Sequence, residues 1–101
     1  MMPLHKLEDI IAEDLKGRDG LESFLDTLLE EYETTGDKET FLRLLKIAAK
    51  ARGGIEETAV KTGLTKQAIY KIFSGKGNPT FNSLVKIIES LGYRLTVKPI
   101  N

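Results

Sequence analysis

A chain of 101 residues, 41% hydrophobic and without Trp, has the size of one domain with a modest, mainly aliphatic core. It holds no Cys, which excludes disulfides, thiolate metal sites and cysteine nucleophiles and fits a reducing cytoplasm. The formal net charge of zero conceals a split. Residues 1–40 carry twelve Asp/Glu against four Lys/Arg, a balance of −8, and residues 41–101 carry three against eleven, a balance of +8.

Such a split points to two surfaces for partners of opposite charge. The plainer alternative is that the acidic half docks on the basic half of the same chain. No apolar run approaches a membrane span, and Met1-Met2-Pro3-Leu4-His5-Lys6 lacks the apolar stretch of a signal peptide. No membrane partner and a cytoplasmic location are expected.

Leu7, Ile11 and Leu15 share one stripe and predict a first helix over residues 7–16. Gly17-Arg18-Asp19-Gly20 should break it, with Asp19 and Glu22 spaced as a capping box. A second helix is predicted over 21–32, burying Leu21, Phe24, Leu25, Leu28, Leu29 and Tyr32 and presenting Glu22, Asp26, Glu30, Glu31 and Glu33. Thr34-Thr35-Gly36 ends it, and Asp37 is a good N-cap for a third helix over 38–52. That helix carries its stripe on Phe41, Leu44, Leu45, Ala48 and Ala49, and Gly53-Gly54 stops it.

Short helices are expected over 55–62 and, capped by Thr65, over 66–74. Asn78 or Thr80 should cap a last helix reaching Leu91, with Phe81, Leu84, Val85, Ile88 and Leu91 inward. Residues 93–98 alternate with period two, a strand pattern. A lone strand cannot satisfy its own backbone groups. Its partner would be the N-terminal segment, a second copy of the chain or another protein's sheet.

Residues 55–75 meet the demands of a helix-turn-helix. Ala59 is small enough for a close helix crossing, and Gly63, four residues on, accepts the positive φ of a tight turn. Leu64, Ile69, Ile72 and Phe73 pack inward. Thr65, Lys66, Gln67, Tyr70 and Lys71 remain on or near the outer face, and Gln pairs two-pronged with adenine in the major groove. Thr65 is a helix cap in any case. Tyr70 either reaches a phosphate or base, or half-buries against Phe73 or Phe81. Lys66, Gln67 and Lys71 would otherwise be an ordinary solvated face.

Ala59, Gly63 and Ile69 match the signature of phage-repressor-type helix-turn-helix domains. The wider run is Ala51-Arg52-Gly53, Thr62-Gly63-Leu64-Thr65, Ala68-Ile69-Tyr70-Lys71, Ser74-Gly75, Gly77-Asn78-Pro79-Thr80-Phe81 and Leu91-Gly92-Tyr93-Arg94-Leu95. Over roughly residues 37–98 it resembles the HigA-like addiction-module antidote proteins, the run from Gly77 to Phe81 being its most specific part.

The resemblance implies a homodimer that binds a palindromic double-stranded operator, represses its own operon and silences a small basic protein toxin. It places Thr65, Lys66, Gln67, Tyr70 and Lys71 on the recognition helix, and makes Lys76 and Asn78 phosphate contacts. Relatives often carry a phosphate-contacting Gln early in the first helix of the motif. Here Glu56-Glu57 occupies that region, and two acids beside a phosphate are unfavourable.

The expected fold is therefore all-α: five to six helices, a phage-repressor-like helix-turn-helix and a short C-terminal β-strand. Residues 1–36 would serve a toxin partner or dimerisation, and 37–101 would bind DNA. A standalone regulator without a toxin is the alternative, and an interaction module with an architectural helix-turn-helix a third. Catalysis is not expected. His5 is the only histidine, and Ser23, Ser74, Ser83 and Ser90 have no neighbouring His to activate them. Glu8-Asp9, Glu13-Asp14 and Glu30-Glu31 read as solvated faces, not catalytic dyads. Gly75-Lys76-Gly77 lacks the strand of a phosphate cradle. No cofactor or metal is expected.

Overall fold

The computed structural model describes residues 4–16 and 18–100. Residues 1–3, Gly17, Asn101 and the side chains of Leu4, His5, Arg18 and Asp19 lie outside that description, and with them the expected break at Gly17 and the Asp19 cap. Among the described residues six helices follow in order: α1 (Leu4–Asp14), α2 (Arg18–Thr35), α3 (Lys38–Ala51), α4 (Gly54–Thr62), α5 (Lys66–Phe73) and α6 (Phe81–Ser90). Gly20, expected in the break, lies in the first turn of α2, where backbone N–H groups need no partner within the helix.

α3 is the central element, packed by α1, α2, α4 and α5. This is why its single expected stripe was too narrow. Besides Phe41, Leu45, Ala48 and Ala49 it buries Leu42, Ile47 and Ala51, as a helix covered on several sides must. It starts as the sequence indicated: Asp37 accepts from the Thr40 backbone N–H at 3.1 Å and from its hydroxyl at 2.7 Å. These bonds, the hydroxyl's first, hold the Asp37 carboxyl below its ordinary range. One cluster of buried side chains runs from Ala12 on α1 to Leu91 after α6, with Leu21, Leu28, Leu42, Leu45, Ile69 and Ile87 fully enclosed.

Four expectations are corrected here. On α1 the buried positions are Glu8 and Ala12, with Leu15 buried just after it, whereas Leu7 is exposed. Tyr32 is 40% exposed, its ring 5.3 Å from that of Phe41 at the α2–α3 turn. Phe81, expected inward, is 74% exposed, while Ile87 is fully buried. Phe81 is the first residue of α6 and stands at a groove of about 340 Å³ lined also by Leu29, Tyr32, Phe41, Pro79 and Leu84. The fourth concerns the tail. Among the described residues there is no strand. Residues 93–100 are irregular, with Leu95 half-buried and Val97 and Ile100 exposed. The alternating pattern is real, but the described residues present no second strand to complete a ladder.

Glu8 is also not the solvated acid its position suggested. Its carboxylate lies 3.0 Å from Lys46 Nζ and 3.3 Å from Lys50 Nζ, and Asp9 accepts from Lys50 at 3.1 Å. Burial alone would raise the Glu8 carboxyl. The hydrogen bonds from Lys46 and Lys50, with their charges, outweigh it and hold the group below its ordinary 4.5. Burial likewise opposes the Lys50 cation, and the two carboxylates overcome it and raise that group.

Because the Glu8 pKa is lowered on folding, its stabilisation is complete above about pH 4.5 and is lost as pH falls through the folded value. Glu8→Gln should cost about 1.5–3 kcal/mol at pH 7, the range for hydrogen bonds to charged groups. The gap from the wild type should shrink at pH 3. Thermal melts at the two pH values check this, and a gap independent of pH would refute it.

Candidate nucleic-acid interface

α4 and α5 are joined by only three residues, Gly63-Leu64-Thr65. Gly63 takes φ 76° and its N–H donates to Ala59 O at 3.0 Å, closing α4. A side chain at that φ is strained, so the glycine is what permits so short a turn. Two buried threonines brace it, and sequence reasoning missed both. Thr58 Oγ1 donates to Gly54 O at 2.8 Å, and Thr62 Oγ1 to Thr58 O at 2.7 Å. Thr62 Oγ1 then accepts from the Leu64 N–H at 3.2 Å. A threonine that bonds the carbonyl four residues back is the only local signal that could have marked them.

Thr65 begins α5 in extended conformation, its hydroxyl accepting from the Ala68 N–H at 3.1 Å. The inner face of α5 is Ile69, Ile72 and Phe73, all buried, with Leu64 half-buried behind the turn. Thr65, Lys66, Gln67, Tyr70 and Lys71 are all exposed. Lys66 with Tyr70, and Gln67 with Lys71, stand one turn apart, so they form one outward surface. Tyr70 is 60% exposed and so is not buried against Phe73 or Phe81.

The loop after α5 explains its alternation of glycines. Gly75 and Gly77 are buried, whereas Ser74, Lys76 and Asn78 are exposed. A Cβ at Gly75, which has φ 83°, would stand 2.6 Å from Glu39 Cγ and 3.0 Å from Glu39 O. At Gly77 a Cβ would meet Lys71 O at 2.9 Å. The loop is thus pressed against α3 and the end of α5, with Lys76 and Asn78 turned outward. Thr80 caps α6, accepting from the Ser83 N–H at 3.0 Å. Asn78 is not the cap; its Oδ1 accepts from Lys38 Nζ at 3.4 Å.

The charges here are of two kinds. Lys71 and Lys76 enter no ion pair among the described residues. Lys66 does: its Nζ lies 2.7 Å from Glu56 Oε1, on the first turn of α4. The hydrogen bond to that carboxylate, then its charge, raises the Lys66 ammonium above its ordinary value.

On the opposite side of the charge split, α1 places Glu8 and Asp9 on the basic residues of α3. The α2 acids Glu22, Asp26, Glu30, Glu31 and Glu33 are exposed and enter no ion pair among the described residues. Internal docking therefore accounts for Glu8 and Asp9 and leaves these α2 acids without an ion pair among the described residues. Among the described residues there is no group of three or more His, Cys, Asp or Glu able to hold a metal, and no helix long and apolar enough to cross a membrane.

A family model described as probable addiction module antidote protein matches residues 6–99. The chain belongs to this antidote family. The match runs from within α1 through α6 into the tail, so the family's sequence pattern reaches the acidic α1 and α2 as well as the segment that carried the earlier resemblance. The antidote chain is also 30% identical over 88 residues to a Haemophilus influenzae protein named only as uncharacterized, covering 87% of this chain and 86% of the relative. No solved structure matches it.

Proposed function

We propose that this antidote is a dimeric, sequence-specific DNA-binding antitoxin that represses its own operon and neutralises a small basic toxin. The single observation that carries the DNA part is the outward face of α5. Five polar side chains stand exposed on or beside an eight-residue helix, set off from α4 by a three-residue turn. This arrangement supports reading α4 and α5 as a phage-repressor-type helix-turn-helix, with α5 as the recognition helix in the major groove.

Gln67 is assigned to a base edge, where its amide pairs two-pronged with adenine. Lys66, Tyr70 and Lys71 flank it. Thr65 caps the helix and adds a contact at its tip. Lys76 and Asn78 reach phosphates beside it, Asn78 on leaving Lys38. In a two-fold dimer the half-sites lie about 10 base pairs apart or a multiple of that. The tail 93–98 gains the strand partner it lacks when a second chain supplies one.

Residues 1–36 are assigned to the toxin or to dimerisation, and 37–101 to DNA. The carboxylates of α2 that form no ion pair among the described residues suit a basic partner protein, since complementary charge speeds association and selects partners. They favour the antitoxin over a standalone regulator. This work belongs in the cytoplasm and needs no cofactor or catalytic group.

The test is fluorescence anisotropy with the DNA upstream of the chain's own gene, against scrambled DNA, at two salt concentrations. Tight, sequence-preferring binding that weakens with salt is expected. No salt-sensitive binding to either duplex would overturn the DNA assignment. Lys71→Ala should weaken binding to every duplex alike and flatten the slope of log K against log salt by about 0.9, one phosphate's worth. Co-purification of a small basic protein on the intact chain, lost on reversing the α2 charges, separates antitoxin from standalone regulator.

A further inference from the structure

We infer that Glu56 is a specificity-determining residue of this DNA-binding face, acting by holding Lys66 away from the phosphate backbone. The inference rests on the DNA assignment above. Its starting point is a contact between two helix starts. Glu56 stands on the first turn of α4 and Lys66 is the first residue of α5, yet the side chains meet at 2.7 Å across the turn. Both are open to solvent, with side-chain exposures of 79% for Glu56 and 51% for Lys66. The pair thus lies on the surface and at the leading end of the helix proposed to enter the groove.

Sequence-independent affinity for DNA comes from cations that neutralise phosphates and release their counterions. A lysine whose ammonium is already on a carboxylate contributes less of it. Lys71 and Lys76 have no such partner among the described residues. Of the three lysines proposed to face DNA, the chain therefore restrains only the one at the tip of the recognition helix. Specificity is a difference between affinities, and a repulsive element that weakens all non-cognate binding raises it. A local role would not need this geometry: an acid in the first turn of α4 favours that helix's dipole wherever its side chain points. Glu57, its neighbour, pairs within α4 instead, with Lys61 at 3.7 Å.

The experiment compares wild type, E56Q, K66A and the double variant on upstream and scrambled duplexes across a salt series. E56Q keeps the size and an acceptor oxygen while removing the charge. It should tighten binding to scrambled DNA about two- to fivefold, the scale of one exposed ion pair. The salt slope should steepen by about 0.9. The ratio of upstream to scrambled affinity should fall. In the K66A background E56Q should have much less effect, because its action runs through Lys66. Wild type binding DNA with E56Q unchanged overturns this inference and leaves the DNA assignment standing, as does an E56Q gain of equal size with Lys66 absent. No salt-sensitive binding by the wild type overturns both. Melting curves of all four proteins keep a loss of fold separate from a change in affinity.

Discussion

Ile69→Ala should destabilise the folded chain by about 2–5 kcal/mol, the usual cost of emptying a closed core site. Ile69 has no exposed surface and sits midway along the inner face of α5, between the cap at Thr65 and the buried pair Ile72 and Phe73. Since a domain's whole stability is about 5–15 kcal/mol, this one change is a large share of it. Ile69→Val, which removes one methylene, should cost only about 0.5–1.5 kcal/mol. Urea unfolding at 25 °C measures both. A loss below about 1 kcal/mol for the alanine variant would mean that α5 is not anchored through this residue. The outward side chains are untouched by either change. DNA affinity per folded molecule should therefore hold even where the folded fraction drops, which distinguishes the helix's anchor from its reading surface.

Gln67→Ala should behave in the opposite way. Gln67 is exposed and its side chain makes no hydrogen bond among the described residues, so its removal should leave the melt nearly unchanged. The loss belongs on DNA. Preference at one base position should relax by about 1–3 kcal/mol, while scrambled duplex is bound as before. A panel of single-base operator variants titrated with both proteins reads this directly. An equal loss on every duplex would move Gln67 from base reading to backbone contact. Set beside Lys71→Ala, the two substitutions assign one side chain to sequence and the other to charge.

Much of α5 could be read in advance. Thr65 as cap, Gly63 at the turn, the apolar stripe and the polar set from Lys66 to Lys71 depend on neighbours within four residues, and those neighbours are in the sequence. The start of α3 at Asp37 was legible for the same reason. The loop from Ser74 to Thr80 was legible only as a pattern. That Gly75 and Gly77 are glycines because Glu39 and the end of α5 leave no room for a Cβ is, for Gly75 and Glu39, a contact between residues 36 positions apart. No local rule contains it.

The misses share that origin. Leu7 and Phe81 sit on correctly placed helices but outside the covered arc, and Glu8 sits inside it. Helical period states which residues share a stripe; it does not state how wide an arc the neighbours cover or where it is centred. The same holds for charge. The −8/+8 split is a sum over composition, and composition does not say which acid meets which base.

By itself, then, the sequence determined the all-helical character, the caps, the tight turn before α5 and the polar identity of its outer face, because each rests on propensity and spacing along the chain. Tertiary structure alone decided that α3 is covered on several sides, that Glu8 is buried between two lysines, that Phe81 faces solvent, and that Glu56 holds Lys66. It also decided that Glu8 and Asp9 of α1 meet lysines of α3 while the acids of α2 stay on the surface. These outcomes depend on how the helices cross, and a crossing is set by the packing of whole faces against one another.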